Sequence, residues 1–413
     1  MIKIACMVLG HISNGELTIA LEFTNRLNRD KYEVVYIVPS KLEERLNKLH
    51  YRTLGLHMIS SPEENLRKFE EFIEKWNPDY FLLSDIYTLE YSGAWSGITW
   101  DIIKKTGIQS ISFDEYDYQN NYTLDFMGGN NIHYPEFIEE CNYRIYDCPI
   151  NKKKEGQYCF KMYSDGFRFS REEIVQTEKK YRRASDEKII MMVTSGWEYL
   201  NTGTNIFVDR FIKTLPNVIM GYMGEMPIKI SIIHVSPVRW NVLTPNNIRY
   251  EHIGYLPEAE FNRVIRISDL FITTNIVSVT LTKAIYMGVP SIVLNNPKKI
   301  VFEKFEEKLK TYPEWYQNMA QELEVALPFR ASVFGWTRFL EKVINDNEYM
   351  NTFVCTPLYK YNVTKEIFLK LLTDDEYIYK LKTRQIHYVK QLEGLDDPNT
   401  IMDGILMEKY KIS

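Results

Sequence analysis

Residues 2–9 form an apolar run with a single lysine at its start, closed by Gly10. A run this short, without polar alternation and with glycine behind it, predicts a parallel strand buried on both faces. In residues 16–27, Leu17, Ile19, Ala20, Leu21, Phe23 and Leu27 recur at mostly helical spacing. Further strands are predicted at 32–38, 80–83 and 108–113, and further helices at 42–49, 65–76 and 95–105. Strands alternating with helices imply a parallel sheet covered on both faces. The stretch 152–186 is polar, charged and poor in strand signals, which suits the approach to an interdomain linker.

A second series begins at 188–193. It continues with a helix over 207–215, strands at 218–223, 228–235 and 248–253, and a helix over 258–267. A strand at 270–273, a helix over 280–287 and a strand at 291–294 follow, the last entered through Gly288-Val289-Pro290. From about residue 299 the chain reads as mostly helical, with closing helices near 365–372 and 374–389. Two Rossmann-like domains facing a cleft explain this double series better than one large sheet. The expected fold class is therefore α/β, divided at 1–180, 187–355 and 356–413.

Composition narrows the class of partner. The length of 413 residues fits two or three domains. The formal net charge is −5 with no dominant basic block, so nucleic acid is not an expected partner. The five cysteines, Cys6, Cys141, Cys148, Cys159 and Cys355, are odd in number and none has CxxC spacing. That suits reduced thiols in a cytoplasmic protein rather than a disulfide framework or a zinc site. The N-terminus enters a strand directly and no apolar stretch approaches ~18 residues, so neither a signal peptide nor a membrane span is expected.

Three turns follow predicted strands, at the edge where doubly wound sheets bind ligands. The first is Gly10-His11-Ile12-Ser13-Asn14-Gly15. Its glycines permit a tight strand-to-helix turn. A neutral imidazole at His11 suits removal of a hydroxyl proton near neutral pH; a plain capping or turn-bonding role is the competing reading. The second is Ser84-Asp85, where the carboxylate either orients the imidazole from the neighbouring strand or caps a helix. The third runs from Asp269 to Pro290. It holds Asn275, Ser278, Val279, Thr280 and Lys283, and places hydroxyls and amides at a helix N-terminus, a ready phosphate site. An ordinary strand–helix unit with a serine cap explains it equally well. Thr194-Ser195-Gly196 ends the first strand of the second series. No acidic group has convincing metal-ligand spacing. Asp114, Glu115 and Asp117 come closest and suit a solvated loop better.

Together these segments resemble the GT-B glycosyltransferase superfamily, especially its UDP-sugar and MurG-like branch. Gly10-His11-Ile12-Ser13-Asn14 resembles the family's Gly-His-x-x-Pro turn, with the proline absent. Leu82-Leu83-Ser84-Asp85 resembles the strand and aspartate that orient the catalytic histidine, and Gly288-Val289-Pro290 matches the family's Gly-x-Pro. The resemblance implies C-terminal helices crossing back to the first domain, an acceptor site in the first domain and a nucleotide-sugar site in the second. It implies inverting, metal-independent transfer to a small-molecule hydroxyl, with His11 as base, Asp85 as its partner and no cofactor beyond the nucleotide-diphosphate sugar. On the family pattern Thr194, Ser195, Gly196, Asn275, Ser278, Val279, Thr280 and Lys283 face the donor. Asn275 stands where many members have histidine, and Lys283 where a glutamate holds the ribose. Acceptor-selecting loops are expected near 87–95 and 114–135, and homodimerisation is left open. Two rival readings remain: a non-catalytic GT-B-like protein that binds or activates a partner enzyme, and an epimerase.

Overall fold

Two parallel sheets organise the chain. The computed structural model describes residues 1–10, 15–114, 123–126, 130–133, 140–148, 150–163, 167–200, 206–294, 300–301, 304, 306–323, 325–326 and 340–412. These divide into two compact units, one of residues 1–123, 133–164 and 392–413, the other of 124–132 and 165–391.

In the first unit, β1 (Ile2–Met7), α1 (Gly15–Thr24), β2 (Tyr32–Pro39), α2 (Ser40–Lys48), β3 (Thr53–Leu56), α3 (Pro62–Trp76) and β4 (Tyr80–Leu83) run in strict alternation. α4 (Ile86–Ser96), α5 (Trp100–Lys105) and β5 (Gln109–Asp114) follow. A two-stranded ribbon, β6 (Thr123–Phe126) and β7 (Asn130–His133), whose residues 124–132 count with the second unit, separates these from β8 (Tyr143–Cys148) and β9 (Tyr158–Lys161). The sheet order is β3-β2-β1-β4-β5-β8-β9, all parallel. Phe23 of α1 meets Phe113 and Phe160 edge-on, at ring-centroid distances of 5.3 and 5.1 Å, which locks α1 onto one face. Burying one such ring is worth about 1.5–3 kcal/mol.

The expected acceptor loop at 87–95 is helix α4, whose polar and apolar residues alternate without an amphipathic period. The helix expected over 95–105 is broken at Gly97, whose φ of 73° is left-handed, and restarts at Trp100. The C-terminal helix, Pro398–Ile412, belongs to this unit. Its Asp403 pairs with Lys31, Glu408 accepts from the Tyr158 hydroxyl at 2.7 Å, and Asn399 Nδ2 donates to Arg26 O at 2.8 Å.

The second unit begins with α6 (Arg171–Tyr181) inside the supposed linker. A capping box holds its start: Ser170 and Glu173 each bond the other's backbone N–H. Then come β10 (Glu187–Val193), α7 (Gly196–Leu200), α8 (Ile206–Gly224), β11 (Lys229–Val235), β12 (Ile248–Ile253), α9 (Glu258–Ile267), β13 (Leu270–Thr273), α10 (Val279–Tyr286) and β14 (Ser291–Leu294). β15 (Ile300–Val301) and β16 (Val325–Ala326) form a short antiparallel pair around α11 (Glu306–Leu309) and α12 (Glu314–Leu323). α13 (Glu341–Ile344), β17 (Val354–Thr356), α14 (Tyr361–Thr373) and α15 (Asp375–Gln391) complete it. The sheet order is β12-β11-β10-β13-β14-β17, again parallel.

The strand expected at 218–223 is the second half of α8, which continues through Pro216. A short apolar run does not distinguish a buried strand from a buried helix, and here Val218, Ile219, Tyr222 and Met223 sit in the core at helical spacing. α14 and α15 also belong to this unit: Phe368, Leu371, Leu372 and Leu381 enter its core. Buried Gln385 on α15 donates to Val289 O and Thr352 O, both at 2.9 Å. Among the described residues no helix is long and apolar enough to cross a membrane.

Candidate functional site

In each sheet the chain winds outward in both directions from its first strand. The order reverses between β1 and β4, and again between β10 and β13. Such switch points splay the flanking loops apart and leave a crevice at the carboxyl ends of the strands.

At the first switch point Met7 of β1 is level with Leu83 of β4. His11, beyond the end of β1, lies outside the described residues. Asp85 does lie beside the switch, at the start of α4, where its backbone carbonyl accepts from Leu89 N at 3.1 Å. Its Oδ2 is 2.7 Å from Thr88 Oγ1, and the same hydroxyl is 3.2 Å from Glu16 Oε1 at the start of α1. Burial and then the Asp85 charge push the Glu16 carboxyl up to about 8. Gly10 leaves room here: a Cβ on it would overlap the Glu16 carboxylate as it is placed. Two more acids end the next strands. Asp114 is only 1% exposed, with Arg144 Nη1 3.8 Å from its Oδ2. The solvated loop expected for Asp114 is therefore a buried strand end; Glu115 and Asp117 lie outside the described residues. Asp147 is fully buried. Burial, then the Asp114 and Asp85 charges, push it up to about 7.

At the second switch point Met192 of β10 is level with Ile272 of β13, so Thr194 and Thr274 stand side by side two residues on. Both are buried. Thr194 Oγ1 is 2.9 Å from His234 Nε2, and the other ring nitrogen is 2.9 Å from the Tyr250 hydroxyl. The His234 ring packs tilted against Trp240, with ring centroids 4.1 Å apart. Burial, then His252, pushes His234 down to about 3, so the ring is neutral and one nitrogen donates while the other accepts. Ser195 N donates to Glu198 Oε1 at 3.2 Å, and Thr274 Oγ1 donates to Glu198 Oε2 at 3.0 Å. Glu198 thereby ties the turn of Thr194, Ser195 and Gly196 to the turn after β13. Asn275 Oδ1 accepts from Val277 N at 3.1 Å, closing an Asx turn. Ser278 caps α10, its Oγ accepting from Leu281 N at 3.4 Å, and Val279 and Thr280 form the first helical turn.

The structure thus gathers Thr194, Ser195, Gly196, Asn275, Ser278, Val279 and Thr280 at one switch point. It takes Lys283 elsewhere. Lys283 is 5% exposed, and its Nζ donates to Glu258 Oε1 at 2.8 Å and to Asn262 Oδ1 at 3.3 Å, both on α9. Glu198 and His234 were not singled out from the sequence. The signal for Glu198 is Ser195-x-x-Glu198, a capping-box spacing at a strand exit; for His234 it is a lone polar residue in an apolar strand. Among the described residues no group of three or more His, Cys, Asp or Glu is placed to hold a metal ion.

Comparison with solved structures gives the fold its name. The spinosyn forosaminyltransferase SpnP matches with a TM-score of 0.58 at 12% identity, covering 100% of both chains. The spinosyn rhamnosyltransferase SpnG complexed with thymidine diphosphate matches with a TM-score of 0.56 at 13% identity, covering 98% of this chain and 100% of that one. MurG from Acinetobacter baumannii matches with a TM-score of 0.52 at 11% identity, again over 98% and 100%. All three are similar along the whole chain, and the fold is that of the GT-B glycosyltransferases. No curated protein sequence matches the chain. Residues 23–409 match the family model described as "Family of unknown function (DUF6365)", and the chain belongs to that family.

Proposed function

We propose that the protein is a glycosyltransferase that moves a sugar from a nucleoside-diphosphate donor to a hydroxyl of a small-molecule acceptor. One observation carries this reading: Asp85 lies beside the strand-order switch of the first sheet, and Thr194, Ser195, Gly196, Asn275, Ser278, Val279 and Thr280 gather at that of the second. The diphosphate is assigned to the second switch point, against the hydroxyls and amides of Thr194, Ser195, Gly196, Asn275, Ser278, Val279 and Thr280. Donors of this kind stabilise charge that develops on a leaving diphosphate. Glu198 does not oppose an anion strongly, since Ser195 N–H and the Thr274 hydroxyl already bond its oxygens.

Transfer with inversion needs a base at the acceptor hydroxyl, and His11 is assigned to that role. Residue 11 follows the strand beside the first switch, and Asp85 follows the neighbouring strand. Asp85 orients the imidazole and stabilises its charged form. The activity of SpnG, a rhamnosyltransferase crystallised with thymidine diphosphate, supports the donor class by similarity alone.

The test has two arms. Thymidine and uridine diphosphates should raise the melting temperature by mass action, about 2.7 kcal/mol at 100 times Kd. His11→Ala should then lower turnover ~10²–10⁴-fold. A protein indifferent to every nucleoside diphosphate is instead the non-catalytic auxiliary. The engagement of Lys283 by α9, at the position where the family holds the donor ribose, is the observation that favours that second reading.

A further inference from the structure

The hydroxyl of Thr88 faces two carboxylates and has one proton to give. It lies 2.7 Å from Asp85 Oδ2 and 3.2 Å from Glu16 Oε1. If it donates to one, the other must bring a proton of its own or meet the lone pairs of the hydroxyl oxygen. Hydrogen bonds to an ionised carboxylate are the shorter ones, which marks Asp85 as the charged partner. Glu16 then carries the proton and donates it to Thr88 Oγ1, while Thr88 donates to Asp85.

The surroundings of Glu16 agree. Its Oε2 is buried without a hydrogen-bond partner among the described residues, so none of these solvates a negative charge there. Gly10 approaches the carboxyl on one side so closely that no other residue fits without moving it. The charge acting on Glu16 is that of Asp85, and it is of like sign. Beyond Asp85 lie Asp114 and Asp147 on the next strands, with Arg144 beside Asp114. Burial among acids holds the Glu16 proton past neutrality.

We propose that Glu16 is a positioning residue, protonated at neutral pH, that acts through Thr88 to hold Asp85 as the anionic carboxylate beside the first switch point. Its catalytic consequence rests on the reading of Asp85 as the partner of His11; the proton chain itself does not. A protonated Glu16 adds no second charge beside Asp85 and leaves that carboxylate aimed by a hydrogen bond. Loss of the proton would place two anions on one hydroxyl, break the chain and release Asp85 from its rotamer.

The decisive measurement needs no substrate. Because the folded-state value is raised from 4.5 to about 8, the folded protein binds one more proton than the unfolded chain between those values. The folding equilibrium therefore weakens by about tenfold per pH unit through this group as pH rises. In Glu16→Gln the pH slope of unfolding free energy should fall by one proton per molecule; an unchanged slope overturns the proposal. If that variant does not fold, the unmodified protein labelled with ¹³C at glutamate carboxyls gives the same answer. One resonance should titrate near pH 8, and titration of every glutamate below ~6 overturns it.

The positioning role is read separately. Thr88→Val should change the pH profile of kcat/KM and Thr88→Ser should restore it; a profile indifferent to Thr88→Val overturns that role. Absence of any turnover alongside a slope reduced by Glu16→Gln would instead sink the glycosyl-transfer reading and leave the proton chain standing.

Discussion

In the first unit the strand ends and the first turn of α1 beside and beyond the switch point carry acids: Glu16, Asp85, Asp114 and Asp147, two of them pushed up toward or past neutrality by burial and mutual repulsion. In the second unit the corresponding turns carry neutral groups. Threonine and serine hydroxyls, an asparagine turn, a helix cap and a histidine kept uncharged line the ends of β10, β11 and β13. Glu198, the acid there among the described residues, has its oxygens bonded to Ser195 and Thr274. One strand order, used twice, has been finished with opposite electrostatics. On the proposed reading a nucleoside diphosphate sits at the second edge, where hydroxyls and amides gather and the Glu198 oxygens are already bonded, and proton transfer occurs at the first, where carboxyl groups titrate near pH 7. Topology sets where a ligand can sit, and side-chain charge sets which ligand sits there.

The comparison is broken most sharply by pH. Asp147, raised from 3.8 to about 7, costs stability as pH rises between those values, because the folded form holds a proton that the unfolded form releases. Asp147→Asn should stabilise the protein at pH 8 by about 4 kcal/mol at most, read by chemical denaturation. His234, lowered from 6.5 to about 3, works in the opposite direction: its contribution is complete above pH 6.5 and is lost as pH falls. Hydrogen exchange resolved by segment should therefore show the first sheet losing protection on the alkaline side and the second on the acid side. Equal losses in both sheets on one side would mean that the two edges do not differ in the way described.

A smaller effect tests the close approach in the first unit. Gly10→Ala should cost about 1–3 kcal/mol, because its methyl group displaces the Glu16 carboxyl. In a Glu16→Ala background most of that cost should vanish, giving a coupling energy above about 0.5 kcal/mol in a double-mutant cycle. Additive costs would separate the two residues.

The smallest effect sharpens the second unit. Lys283→Met keeps the packing and removes the ion pair with Glu258, which is half exposed, so stability should change by about 1 kcal/mol or less. Nucleoside diphosphate affinity should stay within about twofold; a tenfold loss, worth about 1.4 kcal/mol, would return the ammonium to the phosphate.

Much of the framework was legible beforehand. Strands at 80–83, 248–253, 270–273 and 291–294 and the helix at 258–267 stand where their apolar patterns put them. The failures share a cause. Residues 218–223 are apolar on several faces, and burial all round erases the period that separates helix from strand; in 86–96 polar and apolar residues mix without a period. β3 and β17 are short edge strands that owe their state to the neighbours they pair with. The capping box at Ser170 and Glu173 was a local signal in a charged stretch otherwise read as linker.

The same division holds for chemistry. Local sequence alone determined the repeated strand–turn–helix order, the turns at Asp85, Ser195 and Ser278, and the serine caps, because each depends on residues within one helical turn of one another. Only the tertiary structure decided that Glu16 and Asp85, 69 positions apart in the sequence, share one hydroxyl, that His234 orients Thr194, and that Lys283 turns to α9. Proton affinity and partner choice are set by what burial brings within a few ångströms, and linear spacing carries no record of those distances.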